Sequence, residues 1–320
     1  MKSLRLHSVR LLLPAMLLLL ASTTQISIRA RANNSGLLKN DARTTDADDV
    51  PSGQSRFAKL DGARVHYVNY GKGDEALVLI HGWTQSADAW RDNVAELSAR
   101  SRVVVVELPG HGQSDKPKIA YSMDYFARAV EAVMRDAKVK RAVLVGHSMG
   151  TPVARQFYRK YPDKTLALVV VDGVLLPFGD KAMVDQMLAG FRGPKYQEAV
   201  NQMMGFISGP NLTAEVKQRI NSSAMNTPQY VLVSAFEGMV DPAIWSEDKI
   251  NLPVLAIMAK SPLLPANAEE SFRSIAPKID FQLWDGVGHF LMMEKPKEFD
   301  AAVIAWLDKN GLLKPVGSKQ

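Results

Sequence analysis

From residue 57 onward, short and nearly continuous apolar runs alternate with longer segments whose apolar residues recur at helical spacing. The runs at 57–60 and 65–70 flank Asp61-Gly62, a strong turn dipeptide, and predict a hairpin. Continuous apolar runs follow at 76–80, 102–107, 143–145 and 166–171, and the same signal returns at 253–259 and 281–284. Between them, residues 87–97, 124–137, 150–161, 268–275 and 297–309 carry helical periodicity. Strands that are apolar on both faces and separated by helices indicate a mostly parallel sheet covered by helices on its two sides.

The rhythm breaks once. Residues 174–250 contain no convincing strand but several helix-like segments, with Thr213 and Thr227 suited to N-cap positions and Pro228 to a first helical position. The expected organisation is therefore an α/β core of residues 56–173 and 251–315, with a helical lid of residues 174–250 inserted between strands six and seven. Such a lid would sit over the carboxyl ends of the strands, where open α/β sheets place their ligands. It carries Met183, Met187, Phe191, Tyr196, Met203, Met204, Phe206, Met225 and Trp245. Methionine adapts to irregular surroundings, so this face suits hydrophobic substrates of varied shape, or simply glues the lid to the core.

The first residues are different in kind. Lys2, Arg5 and Arg10 precede an apolar run at 11–21, and Ala30-Arg31-Ala32 offers a small-residue cleavage site. This is the layout of a secretory signal peptide over residues 1–32. The apolar run is too short to cross a bilayer comfortably, so the expected protein is exported, periplasmic or secreted, with no stable membrane anchor after cleavage. Residues 33–55 are polar and lack apolar periodicity, and read as a flexible linker. The net charge of +6 changes meaning once residues 1–32 are set aside, because they hold five basic residues and no acid. The remainder is nearly neutral and offers no basic stripe, which argues against a nucleic-acid partner. The absence of cysteine excludes a disulfide, a lipoprotein anchor and a thiol nucleophile.

The chemistry concentrates at Gly146-His147-Ser148-Met149-Gly150, which follows a strand and precedes a helix. A serine hydroxyl is a weak nucleophile and must stand clear of the backbone where a base can reach it. The G-x-S-x-G turn does this with a strained serine and nearly side-chain-free neighbours. The competing reading is a turn serine without chemistry. Of the six histidines, His7 lies in the signal, His66 in the hairpin, His147 beside the serine, and His81 and His111 in early glycine-rich loops. Only His289 follows a late strand on a glycine-flanked loop from which it could reach over the sheet edge as a general base. For His81 and His111, shaping a loop is the favoured role.

These segments resemble the α/β-hydrolase fold family from about residue 57 to residue 313. Beyond the serine elbow, His81-Gly82-Trp83 resembles the family's oxyanion-hole loop. The segment from Leu108 to Ser114 resembles its loop after strand four, and Gly286-Val287-Gly288-His289 its catalytic-histidine loop. The resemblance implies Ser148 as nucleophile, His289 as base, and the backbone N–H groups of Trp83 and Met149 as the oxyanion hole. Most members carry the acid after strand seven, yet residues 257–262 hold none. Some branches place it after strand six, where Asp172 stands. Asp172 is therefore the expected acid, with Asp241, Glu269 or Glu270, or no functional acid at all, as alternatives.

No cluster has metal-ligand spacing and no phosphate-binding glycine loop is present, so neither a metal nor a cofactor is expected. The function expected is an exported serine hydrolase cleaving a carboxylic ester of a small hydrophobic substrate. A carbon–carbon-bond hydrolase, amidase or perhydrolase would share the same parts. A ligand-binding or receptor-like homologue with vestigial catalysis is the alternative from another class. Epoxide hydrolysis and dehalogenation are disfavoured, since they need a carboxylate where Ser148 stands.

Overall fold

A computed structural model of the protein describes residues 52–313, apart from Phe178, Ser246, Glu247 and Leu263. The segments read as signal peptide and most of the linker lie outside the described residues. Strands β1 (Gln54–Leu60) and β2 (Ala63–Tyr70) form the expected hairpin. Its turn residues Asp61 and Gly62 have φ of 49° and 86°, the left-handed pair that a two-residue hairpin requires. β1 begins inside the stretch read as linker, because Gln54 and Ser55 already pair with Asn69 and Val68.

β3 (Glu75–Ile80) leads through a 3-10 turn at Ala87–Trp90 into α1 (Val94–Arg100). The single helix expected over 87–97 is thus broken. Asn93 interrupts it, since its side-chain amide donates to Met292 O at 3.1 Å and to Asp300 Oδ1 at 3.0 Å. β4 (Val103–Val106) is four buried valines. It is followed by α2 (Met123–Asp136), which is capped by the Ser122 hydroxyl accepting the Tyr125 N–H at 3.1 Å. β5 (Arg141–His147), α3 (Gly150–Lys160) and β6 (Thr165–Val171) complete the first part of the core.

Four helices then fill the interruption: α4 (Lys181–Arg192), α5 (Tyr196–Ile207), α6 (Ala214–Asn226) and α7 (Gln229–Val240). Thr213 caps α6 as its sequence suggests, accepting the Val216 N–H at 3.2 Å. Thr227 does not N-cap α7 but closes α6, its N–H donating to Ala224 O at 3.3 Å. Its hydroxyl turns instead to the carbonyls of Ser223 and Thr84, and Pro228 takes the cap position of α7. The sheet resumes with β7 (Val254–Ala259), α8 (Ala268–Ile275) and β8 (Ile279–Trp284), and the chain closes on the short α9 (Leu291–Glu294) and on α10 (Pro296–Lys309).

The eight strands form one sheet in the order β1-β2-β4-β3-β5-β6-β7-β8, antiparallel at β1-β2-β4 and parallel from there on. Every residue of β4 and β7 is buried, as strands covered on both faces should be. α2 packs with α3, and α1 with α10. The register carries past the strand ends. Ser148 N–H donates to Val171 O at 3.0 Å, and Asp172 N–H to Ile257 O at 2.9 Å. These bonds set Ser148, Asp172 and the end of β7 side by side at the carboxyl edge of the sheet.

Candidate active site

The β5–α3 turn places Ser148 at φ 51°, a left-handed conformation that a non-glycine residue holds only where its surroundings impose it. Those surroundings are close. A Cβ on Gly146 would overlap the Gly150 carbonyl, and one on Gly150 would overlap that of Ile80. The turn is locked from inside by Thr151, whose hydroxyl donates to Gly146 O and whose N–H donates to Ser148 O, each at 2.9 Å. Ser148 stays half-buried at the apex.

Asp172 is also left-handed, with φ 41°, and directs its carboxylate along the strand ends. Oδ2 accepts the Nδ1–H of His289 at 2.7 Å, and Oδ1 accepts the Ala259 N–H, at the end of β7, at 2.8 Å. A carboxylate only accepts, so this contact puts a proton on His289 Nδ1 and, in the neutral imidazole, makes Nε2 the acceptor. The pair is reachable from solvent, with side chains 20% (His289) and 16% (Asp172) exposed. Its ring lies 4.8 Å, centroid to centroid, from that of His147, the residue preceding Ser148. The histidine, aspartate and serine singled out in the sequence thus converge on one strand edge.

Where the sequence pattern has no acid after β7, the structure holds Lys260, which pairs with Asp285 at 2.8 Å on the surface. The other candidate acids are engaged elsewhere. Asp241 accepts the Ala243 N–H at 2.9 Å, and Glu269 pairs with Arg273 at 2.7 Å. Glu270 is exposed on α8. Met149 and Trp83 are buried beside the serine turn and on the β3 loop. Among the described residues, neither backbone N–H donates to a loop or turn carbonyl.

Residues 75–296, which run from β3 through the serine elbow to the start of α10, match a family model described as alpha/beta hydrolase fold. The chain belongs to the α/β-hydrolase fold family. A protein of Mycobacterium tuberculosis, named as uncharacterised, is 26% identical over 288 residues, covering 81% of this chain and 83% of its own length. An esterase from Exiguobacterium antarcticum superposes with a TM-score of 0.72 at 15% identity, over 80% of this chain and all of that one. The epoxide hydrolase CorEH does so with 0.68 at 20% identity, over 81% of this chain and all of that one. At such identities the two structures share the fold.

Within this α/β-hydrolase fold, three side chains have places that sequence reading did not give them. His147 turns toward the His289 loop. Its Nε2–H donates to the carbonyl of His289 at 2.9 Å, and burial, with His289 and His81 nearby, holds its pKa well below the usual value, so it stays neutral. The signal was present in the motif, because a turn that exposes Ser148 must drive its neighbour's side chain inward. The Trp83 ring is occupied by the insertion. Its Nε1–H donates to Leu232 O at 2.8 Å, and it packs against a tilted Phe191 and an edge-on Phe236, with ring centroids at 4.8 and 5.6 Å. Glu107 had no signal at all. Burial raises its pKa, but hydrogen bonds from His66 and from the Gln113 and Ala87 N–H groups outweigh that and leave it lowered.

His81 and His111 have loop-shaping contacts. His81 donates Nδ1–H to Gly82 O at 2.8 Å and accepts the Leu108 N–H at 3.0 Å, joining the loops after β3 and β4. Burial lowers the pKa of both, to about 3 for His111. Of the apolar insertion residues, Phe191 and Met204 are buried in the core, while Phe206 is 65% exposed. A polar cleft of about 620 Å³ lies between α6 and the loops after β3 and β4, lined in part by Asp88, Lys116 and Arg219. Ser148, Asp172 and His289 do not line it.

Proposed function

We propose that this protein is a serine hydrolase that cleaves carboxylic esters of small, fairly hydrophobic substrates. The observation that carries the reading is the Asp172–His289 hydrogen bond at the same strand edge as the strained Ser148 turn. Ser148 Oγ attacks the ester carbonyl and His289 Nε2 takes its proton, while Asp172 holds the Nδ1–H tautomer and stabilises the imidazolium. The Trp83 and Met149 N–H groups receive the oxyanion of the tetrahedral intermediate. The intermediate collapses, His289 returns the proton to the leaving alcohol, and water then releases the acyl group by the same route.

The same parts serve amide, carbon–carbon-bond or perhydrolytic chemistry, so the ester assignment rests on the esterase neighbours among known folds. Epoxide opening is disfavoured despite the fold shared with CorEH, since a serine stands at the elbow. Export after removal of residues 1–32 belongs to the same proposal. A fluorophosphonate probe tests the centre: covalent labelling at Ser148 is expected, and an unlabelled, folded protein would overturn the reading in favour of a binding protein with vestigial catalysis. A panel of p-nitrophenyl esters of graded chain length then reports the acyl preference.

A further inference from the structure

The loop bearing His289 is fastened to the helical insertion. His289 N–H donates to Ile207 O at 3.0 Å, and Gly286 O accepts the Asn211 side-chain amide at 2.6 Å. Between them stands Glu294, at the end of α9. Its Oε1 accepts the Gly288 N–H at 2.7 Å and its Oε2 the Asn211 N–H at 3.3 Å. The segments meet without spare room. A Cβ on Gly288 would overlap the Gly209 backbone, and a Cβ on Gly209 would overlap the Glu294 carboxylate. Three of the four residues from Gly286 to His289 are therefore held either by the corner between α5 and α6 or by the carboxylate that bridges to it.

We propose that Glu294 is a positioning residue for His289, clamping the base-bearing loop to residues 207–211, so that the base keeps its place only while that corner of the insertion is docked. This rests on the role given to His289 above. A carboxylate accepting backbone N–H groups makes stronger bonds than a neutral acceptor. The bonds it makes here fix main chain, and main-chain position decides where the imidazole stands relative to Ser148. A displacement of about 1 Å at a catalytic group costs on the order of a hundredfold in rate. The hydrogen bonds of Glu294 go to main chain, not to Ser148 or to the imidazole of His289, so its effect falls on kcat rather than on KM.

The test uses the full-chain protein. In Glu294→Ala, hydrogen–deuterium exchange should quicken at least tenfold in peptides spanning 286–290 and 207–211 and stay unchanged in β5 to β7. Fluorophosphonate labelling and ester kcat should fall ~10- to 100-fold with KM within about threefold, and Glu294→Gln, which keeps an acceptor for the Gly288 N–H, should recover most of the loss. Unchanged exchange in both peptides, or wild-type kcat in Glu294→Ala, would overturn the proposal. If that variant does not fold, Asn211→Ala on the exposed side of the corner carries the same exchange test. A wild-type protein that never labels would overturn the esterase reading alone, and the exchange comparison would still decide the clamp.

Discussion

Asp172 accepts the Nδ1–H of His289 at 2.7 Å from the end of β6, one strand away from the loop after β7. The second oxygen of Asp172 is fixed by the Ala259 N–H, so the carboxylate bridges β6 to β7 while facing the imidazole. Just past β7, where residues 257–262 hold no carboxylate, stands Lys260, paired with Asp285.

If this carboxylate sets the tautomer, Asp172→Asn should preserve the fold and lower kcat by about three to four orders of magnitude. Asp241→Asn, Glu269→Gln and Glu270→Gln should each cost less than about tenfold, since their carboxylates serve other contacts or solvent. Steady-state kinetics on the four variants decides it. A larger loss in any of the last three than in Asp172→Asn would displace Asp172.

Ser148→Ala should remove ester turnover and leave the thermal midpoint nearly unchanged. Alanine meets the same strain at φ 51°, and Ser148 is half-buried on a turn rather than part of the core. Residual activity above a few per cent of wild type would exclude Ser148 as nucleophile.

The strands and the elbow were legible because their signals are local. Apolar runs of valine and isoleucine, glycines at 146 and 150 and a histidine on a glycine-flanked loop need no tertiary partner to be read. What escaped depends on distant partners. The break at Asn93 is made by Met292 and Asp300, some two hundred residues away. Thr227 has the composition of an N-cap, yet the Thr84 carbonyl claims its hydroxyl. Likewise the roles of His147 and Glu294 exist only once the insertion and the His289 loop are folded against each other.

Material recovered after export should begin between Ala21 and Asp48. The basis is the run of Lys2, Arg5 and Arg10, the apolar stretch after it, and the Ala30-Arg31-Ala32 site. N-terminal sequencing of exported protein is the measurement, and a start at Met1 would refute cleavage.

Asp300 gives the fold a pH dependence of its own. It is buried in α10 and meets the Asn93 side-chain amide at 3.0 Å. Burial pushes its carboxyl pKa up to about 8, against the lowering effect of the Asn93 hydrogen bond and with a further push from Glu96 and Asp92. In the unfolded chain the same group titrates near 4. Between those values the native state keeps a proton that the unfolded chain has released, so the unfolded state binds fewer protons and stability falls as pH rises. Above about 8 both states are ionised and the slope from this group disappears. Asp300→Asn keeps an oxygen for the Asn93 amide and removes the titration. Its stability relative to wild type should therefore improve steadily from pH 5 to pH 8, by on the order of a few kcal/mol over that span. Denaturant unfolding of both proteins across this range is the check. A difference between them that does not change with pH would mean that Asp300 is ionised, or is no more easily protonated, in the native state.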